Sequence, residues 1–110
     1  MKKKITVREI LDEIDALKTN SFTVSQKISW IEDIEGRILC EIHNVSPENL
    51  PEIYREADTL TVLKPYSRLY SLYLASMIDF YSGEAGQYEK AKKEFDKAYL
   101  EYAKWYLRNK

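Results

Sequence analysis

Apolar positions along this chain recur three and four apart rather than two apart, and that spacing predicts helices. Val7, Ile10, Leu11, Ile14 and Leu17 form a first stripe, with Arg8, Asp12, Glu13 and Asp15 outside it. Thr6 and Glu9 have the spacing of a capping box, so a helix is expected over about 7–18. Thr19-Asn20-Ser21 is turn chemistry. Thr23 and Gln26 repeat the capping logic, and Val24, Ile28, Ile31, Ile34, Ile38 and Ile42 then mark a second helix over about 24–43. Gly36 interrupts it. Either another backbone approaches closely there, or the glycine is a weak spot of about 1 kcal/mol relative to alanine. Trp30 lies beside the stripe, at the core edge or at a partner contact. His43-Asn44 closes the helix.

Residues 44–64 lose the pattern. Ser46-Pro47 and Leu50-Pro51 forbid one long helix, since proline lacks an amide donor and pushes its predecessor out of the helical region. A short helix from about Pro51 to Ala57 and an extended run from Thr59 to Leu63 across the bundle are expected. Lys64-Pro65 starts a third helix over about 65–82, whose stripe is Tyr66, Leu69, Tyr70, Tyr73, Leu74, Met77, Ile78 and Tyr81. After Ser82-Gly83-Glu84-Ala85-Gly86, a fourth helix over about 86–107 must fold back antiparallel. It sets Tyr88, Ala91, Phe95, Ala98, Tyr99, Tyr102 and Tyr106 on one face, where the alanines admit a close partner. The chain therefore reads as one all-α domain, 1–110, a bundle of four main helices with a C-terminal antiparallel hairpin and an irregular middle segment.

Composition sharpens this picture. At 110 residues and 45% hydrophobic, the chain supports one core. Eight of the nine tyrosines fall between Pro65 and Tyr106 on the stripes expected to be buried, which favours core packing over base stacking and leaves several hydroxyls expected at the rim for contacts between subunits. A net charge of −1 argues against a dedicated nucleic-acid binder. Its distribution is uneven: residues 32–58 carry a net of −6 (eight acids, Arg37 and Arg55), and residues 86–110 carry +3 (seven bases, four acids). That division suits head-to-tail attraction between copies, or else two solvated faces. A single cysteine, no apolar leader after Met1 to Lys4 and no run of 18 or more apolar residues imply a cytoplasmic protein with no disulfide and no membrane span.

No catalytic constellation emerges. Cys40 and His43 lie three apart, but two ligands do not make a zinc site, and their expected role is a buried thiol and a helix-end histidine. The carboxylate pairs Asp12 and Asp15, and Glu32 and Glu35, are expected on solvated helix surfaces. Lys90, Lys93 and Lys97 are interspersed with Glu89, Glu94 and Glu101, so they read as a solvated face rather than a phosphate site. The three glycines form no phosphate loop. Neither cofactor nor metal is expected. Candidate subunit or partner contacts are Lys2, Lys3, Lys4, Trp30, Arg55, Tyr66, Tyr106 and Arg108.

Two resemblances add to this reading. Gly86, Tyr88, Ala91, Phe95 and Ala98 match the second half of a tetratricopeptide repeat over thirteen residues, with Asp79 and Ser82 departing from the preceding half and no second copy present. Such a hairpin implies a cellular helical adaptor for a peptide or partner helix. The second covers nearly the whole chain. Phe22-Thr23-Val24-Ser25-Gln26-Lys27-Ile28-Ser29-Trp30-Ile31 with Glu35-Gly36, Asp58-Thr59, Leu63-Lys64-Pro65-Tyr66, Leu69-Tyr70, Ile78-Asp79-Phe80-Tyr81-Ser82-Gly83-Glu84, Phe95, Ala98-Tyr99 and Tyr102 resemble the small prophage-encoded head-tail connectors, or neck adaptors, of Gram-positive bacteria. Departures lie at residues 44–57 and at Ser82. This resemblance implies a non-enzymatic virion structural protein, cytoplasmic during assembly and then part of the virion neck. Its partners would be copies of itself in a ring, the portal and tail-side neck proteins, with DNA only as the passing genome.

Overall fold

The computed structural model describes residues 4–51 and 55–110. Its helices are α1 (Val7–Leu17), α2 (Val24–Arg37), α3 (Arg68–Tyr81) and α4 (Ala85–Asn109), and among the described residues there is no strand. The fold is all-α, with α3 and α4 packed as an antiparallel hairpin. Buried residues from all four helices and from residues 60–62 form one core.

Both expected capping boxes form. Thr6 Oγ1 accepts from the Glu9 amide at 3.2 Å while the Thr6 amide donates to Glu9 Oε1 at 3.1 Å, and Thr23 and Gln26 repeat the exchange. The start of α1 also has tertiary partners. The first two amides of any helix lack an internal acceptor. Here Val7 donates to the Asp58 carbonyl (3.0 Å) and Arg8 to the Glu56 carbonyl (2.8 Å), while the Leu60 amide returns a bond to the Ile5 carbonyl (2.9 Å). Of the run from Thr59 to Leu63 expected to be extended, Thr59 forms an isolated antiparallel bridge with Thr6 and the chain bends at Thr61 and Val62, with Leu60 and Val62 in the core. The expected short helix from Pro51 to Ala57 falls partly on residues 52–54, outside the described residues; Arg55 to Ala57 are not helical, since the Asp58 amide closes a turn onto the Arg55 carbonyl.

The end of α2 and the start of α3 differ from the sequence pattern. Regular α-helix stops at Arg37, and Ile38–Ile42 continue as a wider π turn in which His43 donates to the Ile38 carbonyl. The wider turn keeps Ile38 and Ile42 in the core while carrying His43 toward α4. Asn44 then leaves the helix at φ 60°, a conformation asparagine tolerates. A further short 3₁₀ turn occupies Pro47–Asn49. Finally, α3 begins at Arg68 rather than at Pro65, because the amides of Tyr66, Leu69 and Tyr70 reach carbonyls three residues back and hold 64–67 in tight turns. The hairpin loop is a Schellman closure: Glu84 donates to the Asp79 carbonyl at 3.0 Å, and Gly83 supplies the required positive φ of 75°.

Glu35 is not on a solvated surface. It lies four residues after Ile31 and three before Ile38, on the apolar stripe of α2, and is buried. Its Oε2 accepts from the Thr61 amide (2.9 Å) and hydroxyl (2.8 Å), and its Oε1 accepts from the Tyr70 hydroxyl (2.5 Å), which in turn accepts from the Val62 amide (3.1 Å). This node fixes the segment around Thr61 to α2 and α3. Burial and the Glu35 charge push the Tyr70 hydroxyl far above its ordinary pKa, so it stays a donor. Asp15 stays on the exposed helix surface as expected, and from there it pairs with buried Lys27 at 2.7 Å; that hydrogen bond holds its carboxyl below the usual range.

Gly36 is a weak spot rather than a close backbone approach. A Cβ there would meet only Leu50 Cδ1, at an ordinary 3.5 Å. Gly36→Ala is expected to raise unfolding stability by up to about 1 kcal/mol in urea titration, with an unchanged slope. A loss of stability would instead place strain at that turn.

Candidate functional site

Aromatic rings step along the hairpin in a ladder. Phe80 meets Tyr88 at 5.4 Å, Tyr73 meets Phe95 at 5.2 Å, and Tyr66 meets Tyr102 at 6.1 Å. Rungs are seven residues apart on both arms of the hairpin, which within a helix is two turns, so Phe80 and Tyr73 share one face of α3 and Tyr88, Phe95 and Tyr102 one face of α4, while Tyr66 joins from the turn before α3. The middle rung is interior. Of the outer rungs, Phe80–Tyr88 lies at the tip, where Phe80 is exposed, while Tyr66–Tyr102, at the opposite, open end of the hairpin, keeps Tyr102 in the core and Tyr66 half-buried.

At the tip, Phe80 and Tyr81 are 56% and 58% exposed. The core stripe expected for α3 therefore ends at Ile78, and Tyr81 lies outside it, because the interior has already closed around Trp30. That indole is buried, with the Tyr81 ring flat against it at 5.8 Å and Phe22 edge-on at 5.2 Å. Trp30 thus takes the core-edge role of its two expected ones. Phe80 stands perpendicular to Tyr81 at 5.0 Å, completing an aromatic face built from three segments of the chain.

At the open end, α4 runs past the start of α3. Tyr66 contacts Trp105 at 5.5 Å, Tyr102 contacts Tyr106 at 6.2 Å, and His43 lies 4.0 Å from the Tyr106 ring. His43 Nε2 and the Tyr102 hydroxyl are 2.8 Å apart. Burial, with Tyr106 and Glu35 nearby, pushes the Tyr102 hydroxyl up to about 12, so it stays protonated and donates to or accepts from the imidazole according to the histidine tautomer. Burial also lowers the His43 pKa, against an opposing pull from Glu35. An unfolded chain then binds more protons than the folded one just below the ordinary histidine value of 6.5. The His43 contribution is full above that value and is lost as pH falls through the folded value. Thermal melts at pH 7.5, 6 and 5 are expected to show a decline that is shallower in His43→Phe; equal slopes would remove His43 as its source.

Comparison with protein-family models, curated proteins and solved structures finds no match.

The candidate contacts divide as follows. Tyr66 and Tyr106 come together at the open end, and Arg108 is exposed in the last turn of α4. Exposed Lys4 and Arg55 flank opposite ends of the pairing between residues 5–8 and 56–60. Lys2 and Lys3 lie outside the described residues. Sequence reasoning did not select Phe80, Tyr81, Trp105 or His43. One signal was available for the first pair: neighbours on a helix point about 100° apart, so Phe80 and Tyr81 cannot share the buried stripe.

Polar features of the surface are largely satisfied within the chain. The Tyr99 hydroxyl donates to Glu41 Oε1 at 2.5 Å, and Tyr70 and Tyr102 are engaged as above, so these three hydroxyls are not rim donors awaiting a partner. The acidic run 32–58 is also less acidic outside than in sequence, since Glu35 is buried, Glu41 pairs with Arg37 at 3.6 Å and Glu56 pairs with Arg8. Cys40 is half-buried beside Gly36 and Leu50, while His43 turns to α4, so the two do not form a joint site. Among the described residues no cluster of three or more His, Cys, Asp or Glu is placed to hold a metal, and no helix is long and apolar enough to cross a membrane.

Proposed function

We propose that this chain is a non-enzymatic structural subunit that assembles with copies of itself into a ring, in the head-tail connector role its sequence resemblance implies. In that role it joins portal to tail-side neck proteins, forms in the cytoplasm, and lines the virion neck around the passing genome. The observation carrying this reading is the unlikeness of the two ends of the hairpin, an exposed aromatic tip of Phe80 and Tyr81 at one and a half-buried cluster of Tyr66, Trp105 and Tyr106 packed on the core at the other, separated by the 14 residues of α3, about 20 Å. Unlike surfaces at opposite ends favour heterologous contacts, and these close into rings when the rotation between neighbours divides a full turn. Sedimentation velocity and electron microscopy of the purified chain, alone and with purified portal, test it. Closed rings are expected in at least one condition. A monomer at millimolar concentration in both would overturn it.

A second reading, a cellular helical adaptor with a tetratricopeptide-like hairpin, is favoured by a groove along the hairpin lined by Leu72, Ala75 and Ala91. Saturable binding of a defined helical peptide by a chain that stays monomeric with portal present would select it.

A further inference from the structure

The two ends of the hairpin differ in charge as well as in exposure. From Asp79 to Glu89 the tip carries three acids and no base. Asp79 is taken up by Lys18 at 3.0 Å, whereas Glu84 and Glu89 are exposed and have no ion pair among the described residues. Exposed Asp33, one turn beyond Trp30 on α2, is a third such acid. The bases that reach this end are engaged within the chain, Lys18 with Asp79 and Lys27 with Asp15 at 2.7 Å. Those of α4 begin only past Glu89, at Lys90, Lys92 and Lys93; Lys90 lines the groove along the hairpin and Lys92 pairs with Asp96 at 2.9 Å.

The open end has the opposite sign. Past Glu101, α4 carries Lys104, Arg108 and Lys110 and no acidic side chain, all three bases being exposed and without an ion pair among the described residues. Of the acids at this end, Glu9 pairs with Lys64 at 3.8 Å, Glu41 with Arg37 at 3.6 Å and Glu56 with Arg8, while Glu101 shares a hollow with Arg68 and Lys97. Lys104 and Arg108 lie four apart, so they share a face beside Trp105, whose ring meets Tyr66.

Each end therefore has an aromatic centre and a charged margin, and the two margins are opposite in sign. That is the anatomy of a protein interface, in which rings supply the buried area and rim charges select partner and register. Phe80 and Tyr81 are more than half exposed, so their own chain leaves them uncovered.

We propose that the tip of one copy docks on the open end of the next. Phe80 and Tyr81 lie against Tyr66, Trp105 and Tyr106, and Glu84 and Glu89 face Lys104 and Arg108. Tip and open end are different surfaces of one molecule, so a paired copy still offers one of each, as growth of a ring requires. The inference rests on the ring reading and deepens it by naming the surfaces that meet.

Charge reversal at exposed positions tests it. Glu84→Lys with Glu89→Lys makes both ends basic; Lys104→Glu with Arg108→Glu makes both acidic. Circular dichroism checks that each variant stays folded, and sedimentation equilibrium reads assembly with and without portal. Either variant alone is expected to lose about a hundredfold in self-association. An equimolar mixture should recover it, because every contact between unlike variants then joins opposite charges, a result that a folding defect does not produce. Assembly of the unaltered chain together with equal assembly by both folded variants would overturn this interface and leave the ring reading standing. So would a loss that the mixture fails to recover. A monomeric unaltered chain, with and without portal, would overturn both.

Discussion

Phe95→Ala is expected to lower unfolding stability by about 3–5 kcal/mol, the range for emptying an aromatic site in a packed core. Phe95 is the interior rung of the hairpin ladder. Its ring meets Tyr73 at 5.2 Å and Tyr99 at 5.6 Å, and the Arg37 guanidinium lies 5.9 Å from its centre. Alanine removes all three contacts at once. The surrounding rings are held by α2, α3 and α4, so they have little freedom to collapse into the space. Domains of this size have total stabilities of about 5–15 kcal/mol, so the variant sits near the edge of folding. Urea unfolding followed by far-UV circular dichroism measures the loss. Folding should fail before assembly does, because the hairpin is the scaffold that holds both ends in place. A stable monomer that no longer assembles would move the interface onto the hairpin's inner face, and a change under 1 kcal/mol would deny Phe95 its central role.

Glu35→Ala is expected to cost about 3 kcal/mol, by a different mechanism. The substitution leaves the Tyr70 hydroxyl, the Thr61 amide and the Thr61 hydroxyl without their acceptor. Tyr70 is fully buried and has no access to water, whereas half-buried Thr61 recovers part of its loss from solvent. Glu35→Gln keeps one acceptor oxygen and is expected to cost about half as much. The order alanine, then glutamine, then the unaltered chain is the signature of a hydrogen-bonding node. Equal losses for both substitutions would point to shape alone, and no loss in either would show that residues 58–62 hold their place without it.

Particular residues show how far the sequence carried. Thr6 with Glu9 and Thr23 with Gln26 disclosed two helix starts, because a capping box is closed by residues three apart and needs nothing from elsewhere. The hairpin was equally legible, since its apolar stripe and its short glycine-containing loop are local. Glu35 was misplaced on a solvated surface although it sits on the stripe between Ile31 and Ile38. Its identity as an acid outweighed its position, and the donors that make burial tolerable come from residues 26 and 35 positions further along the chain. The π turn at Ile38–Ile42 left no local mark, because the contact to which it carries His43 is 59 residues away.

The candidate surfaces were legible only in part. Tyr66, Tyr106 and Arg108 were named from sequence and do lie at or near the open end, while the tip was missed, because whether a ring at the end of a stripe is covered depends on where the neighbouring helix stops. By itself the sequence determined four helices, the capping boxes of the first two and an antiparallel hairpin, all set by spacings of three, four and seven residues within single segments. Only the tertiary structure decided that Trp30 fills the space beneath Tyr81, that Glu35 is an internal acceptor, and that one flank of the hairpin is covered by α2 while the other stays open. Those outcomes depend on which helix reaches which face, a matter of contacts between residues far apart in the chain that no local period encodes.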